Sequence, residues 1–117
     1  MGNPLRGEVD LAAGDKTYRL RFSVNAIAAL EDELDKPITE IGVILSSKQG
    51  VRIGMLRQIF RAALADATPG LSLEDAGEIM QTAGMPESAE AIAKAFRLAF
   101  PAPKKSGRPQ KEAGGTG

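Results

Sequence analysis

The chain of 117 residues contains no cysteine, no histidine and no tryptophan, and its aromatic residues are four Phe and the single Tyr18. Without cysteine there can be no disulfide framework, thiolate metal centre or thiol nucleophile, a usage that fits a reducing compartment. Without histidine the commonest general base and metal ligand at neutral pH is gone, so neither a Ser-His-Asp triad nor a conventional zinc centre can be assembled. Neither G-x-G-x-x-G nor G-x-x-x-x-G-K-[ST] occurs, so the phosphate-cradling loops are missing too. The chain is read as non-enzymatic, with no cofactor. No apolar run approaches the ~20 residues needed to cross a bilayer, and the opening MGNPLRGEVD has no apolar signal core. A soluble, cytoplasmic protein is expected.

Hydrophobic residues nevertheless make up 43% of the chain, enough for one modest core at this length. With so few aromatics, that core has to come from Leu, Ile, Val, Ala, Phe and Met, a helix-rich vocabulary. Formal net charge is zero but unevenly placed. Residues 1–100 carry 11 basic and 14 acidic side chains, whereas residues 101–117 carry 4 basic and 1 acidic. A mildly acidic body precedes a basic tail.

Val9 and Leu11 alternate with Glu8 and Asp10, and beyond a Gly14-Asp15 turn Tyr18, Leu20 and Phe22 alternate with Thr17, Arg19 and Arg21. Period-two alternation on both sides of a two-residue, Gly-led turn predicts a β-hairpin with one apolar and one charged face. Opposite charges across the strands, Glu8 and Asp10 against Arg19 and Arg21, would help to set its register. Because an isolated hairpin is marginal in water, the apolar face must lie on helices.

Five helices are expected after it. Ser23 offers an N-cap to a helix running to about Leu34, with Ile27, Leu30 and Leu34 inward. Lys36-Pro37 ends it, and Ile38, Ile41, Ile44 and Leu45 give a second, short helix closed by SSKQG. The clearest pattern is VRIGMLRQIFRAALADA, in which Leu56, Ile59, Phe60, Ala63, Leu64 and Ala67 share one face, until Thr68-Pro69-Gly70 stops it. Ser72 and Asp75 form a capping box for a stripe of Leu73, Ala76, Ile79, Met80 and Ala83, which Gly84 terminates. Pro86 suits the first turn of a last helix with Ala89, Ile92, Ala93, Phe96 and Phe100 inward. The remaining PAPKKSGRPQKEAGGTG has no periodic apolar residues and reads as disordered. The expected fold class is α+β, an antiparallel hairpin on a bundle of about five helices, with one domain over 1–100 and a basic tail over 101–117.

Three clusters invite a functional reading. Glu31 and Asp35 share one face of the first helix beside Asp32 and Glu33; without a second carboxylate cluster, a contact surface is a better reading than a Mg²⁺ site. Arg57 and Arg61 lie four apart on the central helix, where they suit either a solvated face, with pairing to the acidic helix, or contacts to a partner's carboxylates or phosphates. No aromatic residues interleave with them to stack bases. In the tail, Gly107-Arg108-Pro109 has the core of a minor-groove AT-hook, but Ser106 stands where an arginine is usual, so a solubilising basic tail is the plainer reading.

The stretch NPLRGEVDLAAGDKTYRLRFSVNAIAALEDELDKPITEI resembles the amino-terminal half of a small family from alphaproteobacterial gene transfer agents and related long-tailed prophages. The residues that carry it are Asn3, Pro4, Arg6, Gly7, Glu8, Val9, Ser23, Asn25, Ala26, Leu34, Pro37, Glu40 and Ile41. Leu56 to Phe60 and the helix start at Leu71 to Gly77 extend it, so that it covers about residues 3 to 100. The resemblance implies a tail assembly chaperone, a family also labelled tail tube protein, which binds the tape-measure protein until tube subunits polymerise around it. It brings no catalytic motif.

A helix-binding protein of this kind needs apolar grooves with a charged rim. Met55, Met80 and Met85 could make such a groove adaptable, although core filling is the plainer use of the first two. The candidate partner contacts are therefore Arg19 and Arg21 on the hairpin, Arg57 and Arg61 on the central helix, and Met85. The hairpin edges are candidates for pairing with a second copy or a tail protein by strand addition. A structural component retained in the particle and a small DNA-binding accessory protein are the alternative functions.

Overall fold

A computed structural model describes residues 6–47 and 51–100 and begins with the hairpin: β1 (Val9–Ala13) and β2 (Lys16–Leu20) pair antiparallel. The register sets Val9 opposite Leu20, Leu11 opposite Tyr18 and Asp10 opposite Arg19, as the alternation requires. Leu11, Ala13, Leu20 and Phe22 are buried, with Val9 and Tyr18 packed around them. The apolar face of the hairpin lies against the last three helices of the chain. Beyond β2, the Arg21 backbone N–H donates to the Ala63 carbonyl at 2.9 Å, tying the chain to the end of the central helix.

The helices follow as α1 (Val24–Leu34), α2 (Ile38–Ser47), α3 (Ile53–Leu64), α4 (Leu73–Ala83) and α5 (Met85–Ala99). Ser23 caps α1 by accepting from Ala26 N at 3.2 Å. At the other end of α1 Asp35 is left-handed, with φ 54°, a conformation that a short polar side chain tolerates better than most. Pro37 then starts the next helix. The box at α4 forms in full: Asp75 N–H donates to Ser72 Oγ at 3.0 Å, and Ser72 N–H donates to Asp75 Oδ2 at 3.3 Å. The fold is α+β, a hairpin followed by five helices.

One hydrophobic cluster joins the hairpin to all five helices, with Leu20, Leu30, Ile41, Ile59, Phe60, Leu64 and Ile92 fully enclosed. Full burial of each such side chain is worth about 1.5–3 kcal/mol. α2 is held mainly against α5, and Ile41 is its one fully buried residue. Phe22 and Phe96 meet edge to face, with ring centroids 5.7 Å apart.

Two elements depart from the periodicity. α3 ends at Leu64 and leaves Ala67 exposed. Its last turn tightens, with Ala65 N–H donating to Ala62 O and Ala67 N–H to Leu64 O, three-residue hydrogen bonds that wind the chain more tightly than an α-helix and carry Ala67 off the inner face. On α5 the buried residues are Ser88, Ala91, Ile92 and Ala95; Ala89 and Ala93 are half-buried and Phe100 is exposed. Alanines on both sides of this helix leave its inner face ambiguous. The Ser88 hydroxyl donates to the Met80 carbonyl at 3.3 Å and so enters the core satisfied. The expected tail over 101–117, the Lys48–Gly50 end of SSKQG and residues Asn3 and Pro4 lie outside the described residues.

Candidate functional site

Two acidic residues of α1 have structural occupations. Glu31 Oε2 accepts from the Ile38 backbone N–H at 2.7 Å and so caps α2. Glu33 Oε2 accepts from Gln58 and from Arg61 Nη2, each at 3.0 Å, and clasps α1 to α3. Among the described residues no group of three or more Asp or Glu is placed to hold a metal ion. The chemistry that α1 offers is pairing.

Arg19 and Arg21 line a hollow of about 330 Å³ with Arg6, Glu8, Asp66 and Ala67. It forms because β2 projects alternate residues outward, next to the turn that follows α3. Arg19 bridges Asp10 at 3.3 Å and Glu8 at 3.8 Å, the cross-strand pairing read from the sequence. Arg21 instead holds Asp66 at 3.6 Å and donates from Nε to the Arg6 carbonyl at 2.9 Å. Asp66 also accepts from Ser23 Oγ at 3.1 Å, so one carboxylate links the hairpin exit, the α1 cap and the end of α3. The side chains of Arg19 and Arg21 are 40% and 41% exposed, and such pairs are worth about 0–1 kcal/mol each.

Arg57 and Arg61 leave α3 together and then diverge. Arg61 reaches α1 through Glu33, whereas the Arg57 stem lies across Gly77 of α4. Met85, at the corner between α4 and α5, is half-buried and packs against the core. The five candidate contacts therefore occupy three places: the hollow beside the hairpin, the flanks of α3, and the α4–α5 corner. A second hollow, of about 300 Å³, lies between the hairpin tip and α4, where Tyr18 and Leu71 meet Asp75, Glu78 and Thr82.

Sequence reasoning missed Asp66 and Gly77 as parts of these arrangements, whereas the pairing of Arg61 with Glu33 is the one read between the central helix and the acidic helix. Asp66 carries no local signal, because its partner Ser23 is 43 residues away. Gly77 did carry one: a glycine inside a helical stripe is unfavourable unless something approaches closely.

A family model described as phage tail tube protein, GTA-gp10, matches residues 6–101. No curated protein and no solved structure matches the chain.

Proposed function

The chain belongs to this phage tail tube protein family, and from that premise we propose that it is a non-enzymatic tail assembly chaperone of a phage-like particle. It binds the tape-measure protein before tail tube subunits polymerise, in the host cytoplasm where assembly takes place, and residues 1–100 act as one domain.

The observation that carries this reading is the distribution of apolar surface. Permanent subunit interfaces are large and hydrophobic, resembling a core cut in half. Here the large apolar residues left exposed among the described residues are Val24, Val43, Ile53, Leu98 and Phe100. They are spread over four helices and the end of α5, while the core closes within the chain. Such a surface suits reversible binding through charged and small apolar contacts. Arg19, Arg21, Arg57, Arg61 and Met85 are the proposed contacts, and a hairpin edge is the proposed route to self-association or to the tail tube protein.

The description of the family as tail tube proteins supports a second reading, a structural component retained in the particle. Co-expression with the particle's tape-measure protein tests the first directly. A chaperone raises the soluble yield of that protein and is depleted from purified particles by mass spectrometry. Stoichiometric retention in particles, with no effect on tape-measure solubility, would make the second reading correct.

A further inference from the structure

Two local costs meet at one contact between α3 and α4. Gly77 stands in the interior of α4, where alanine would favour the helix, and the Arg57 stem fills the space beside it. A Cβ built on Gly77 would stand 3.2 Å from Arg57 Cδ and 4.0 Å from Nη1. The Nε of Arg57 is buried and meets no hydrogen-bond acceptor among the described residues. An enclosed donor without an acceptor is costly, and its occurrence calls for an explanation.

Arg57 differs in this from Arg19, Arg21 and Arg61, each of which holds a carboxylate. Packing alone does not account for it, since a methionine would cover the same seam without an orphaned donor. Glu74 and Gln81 lie one turn either side of Gly77, and neither bonds to Arg57 among the described residues. The residue itself is half-buried, and its two terminal nitrogens are not enclosed and unpartnered as Nε is. One turn before it on α3, Ile53 is 69% exposed.

We propose that Arg57, laid flat in the α3–α4 seam by the absence of a side chain at Gly77, is the anchor for a carboxylate of the protein partner, and that an apolar residue of the same segment covers Ile53. A guanidinium fixed in a seam presents its planar fork in one direction, the arrangement that suits bidentate pairing with a carboxylate. A phosphate has compatible chemistry, but the exposed Glu74 and Glu78 on the neighbouring face of α4 repel the unbroken negative charge of a nucleic acid, whereas a protein segment can bring one carboxylate to Arg57 and a basic residue to those glutamates. Charge complementarity thus selects a protein segment of mixed charge, one carboxylate for Arg57 and a basic neighbour for α4, over a nucleic acid. The inference rests on the reading that the chain binds a tail protein.

The test uses the full chain as wild type, Arg57→Met and Gly77→Leu, with the particle's tape-measure and tail tube proteins as probes. Arg57→Met keeps the stem and removes the orphaned donor. It should unfold at the same temperature as wild type or higher, yet bind the tape-measure protein at least about tenfold more weakly. Gly77→Leu retains the charge but displaces the stem, and should weaken binding as well. If that variant does not fold, Arg57→Met carries the test alone. Wild-type binding that Arg57→Met leaves within twofold overturns this inference and spares the proposed function. So does a loss confined to duplex DNA binding, or a loss that matches the fraction of unfolded protein. Wild type that binds neither probe overturns both.

Discussion

Ser88 shows how far a single residue can mislead pattern reading. It is fully buried, and its hydroxyl donates to the Met80 carbonyl, which also accepts from the Gly84 N–H at 2.8 Å. The carbonyl would remain satisfied without the serine. Ser88→Ala is therefore expected to change stability by no more than about 1 kcal/mol in urea unfolding, and a larger loss would mean that the hydroxyl itself anchors α5. The arginines divide in a similar way. Charge alternation along the hairpin made the Arg19–Asp10 pair legible, and the acidic run on α1 pointed to a partner for Arg61. Nothing local pointed Arg57 to Gly77, because that contact exists only once α3 and α4 are side by side.

Elements were legible where their ends carry chemistry. Ser23 and Ser72 start α1 and α4 because each hydroxyl accepts from a backbone N–H that the first helical turn leaves without a partner. Ser72→Ala removes half of a reciprocal box and should cost about 1 kcal/mol, seen as a lower midpoint in urea with an unchanged slope. A wild-type midpoint would show that Asp75 alone suffices. Elements were less legible where composition is uniform. α5 has alanine on both sides, so its rotation was set by what the neighbouring helices and the hairpin had left to fill. α2 is a different case: Ile38, Val43, Ile44 and Leu45 are strongly apolar, but only Ile41 is fully enclosed. Apolar content alone did not decide how deeply that helix sits.

At the scale of the whole molecule, the hairpin and helices share one hydrophobic cluster, and cooperative unfolding should follow. Tyr18 is the single tyrosine and the chain has no tryptophan, so fluorescence near 300 nm reports the hairpin while far-ultraviolet circular dichroism reports the helices. The two unfolding curves are expected to coincide. Leu20→Ala, at a fully buried strand position, should shift both together by about 2–5 kcal/mol. A hairpin signal lost well before the helical one would instead mark β1 and β2 as a separately melting element.

The sequence by itself determined the α+β class, the hairpin register, the order of the helices and most of their caps. Each of these depends on interactions within about a dozen residues, where period, turn chemistry and capping side chains act directly. Only the tertiary structure decided the inward face of α5, the meeting of Arg21 and Ser23 at Asp66, and the passage of Arg57 over Gly77. Those depend on distances between residues far apart in the chain. They are set by how the apolar faces of the helices and the hairpin fill a common core, a packing problem whose solution no single segment contains.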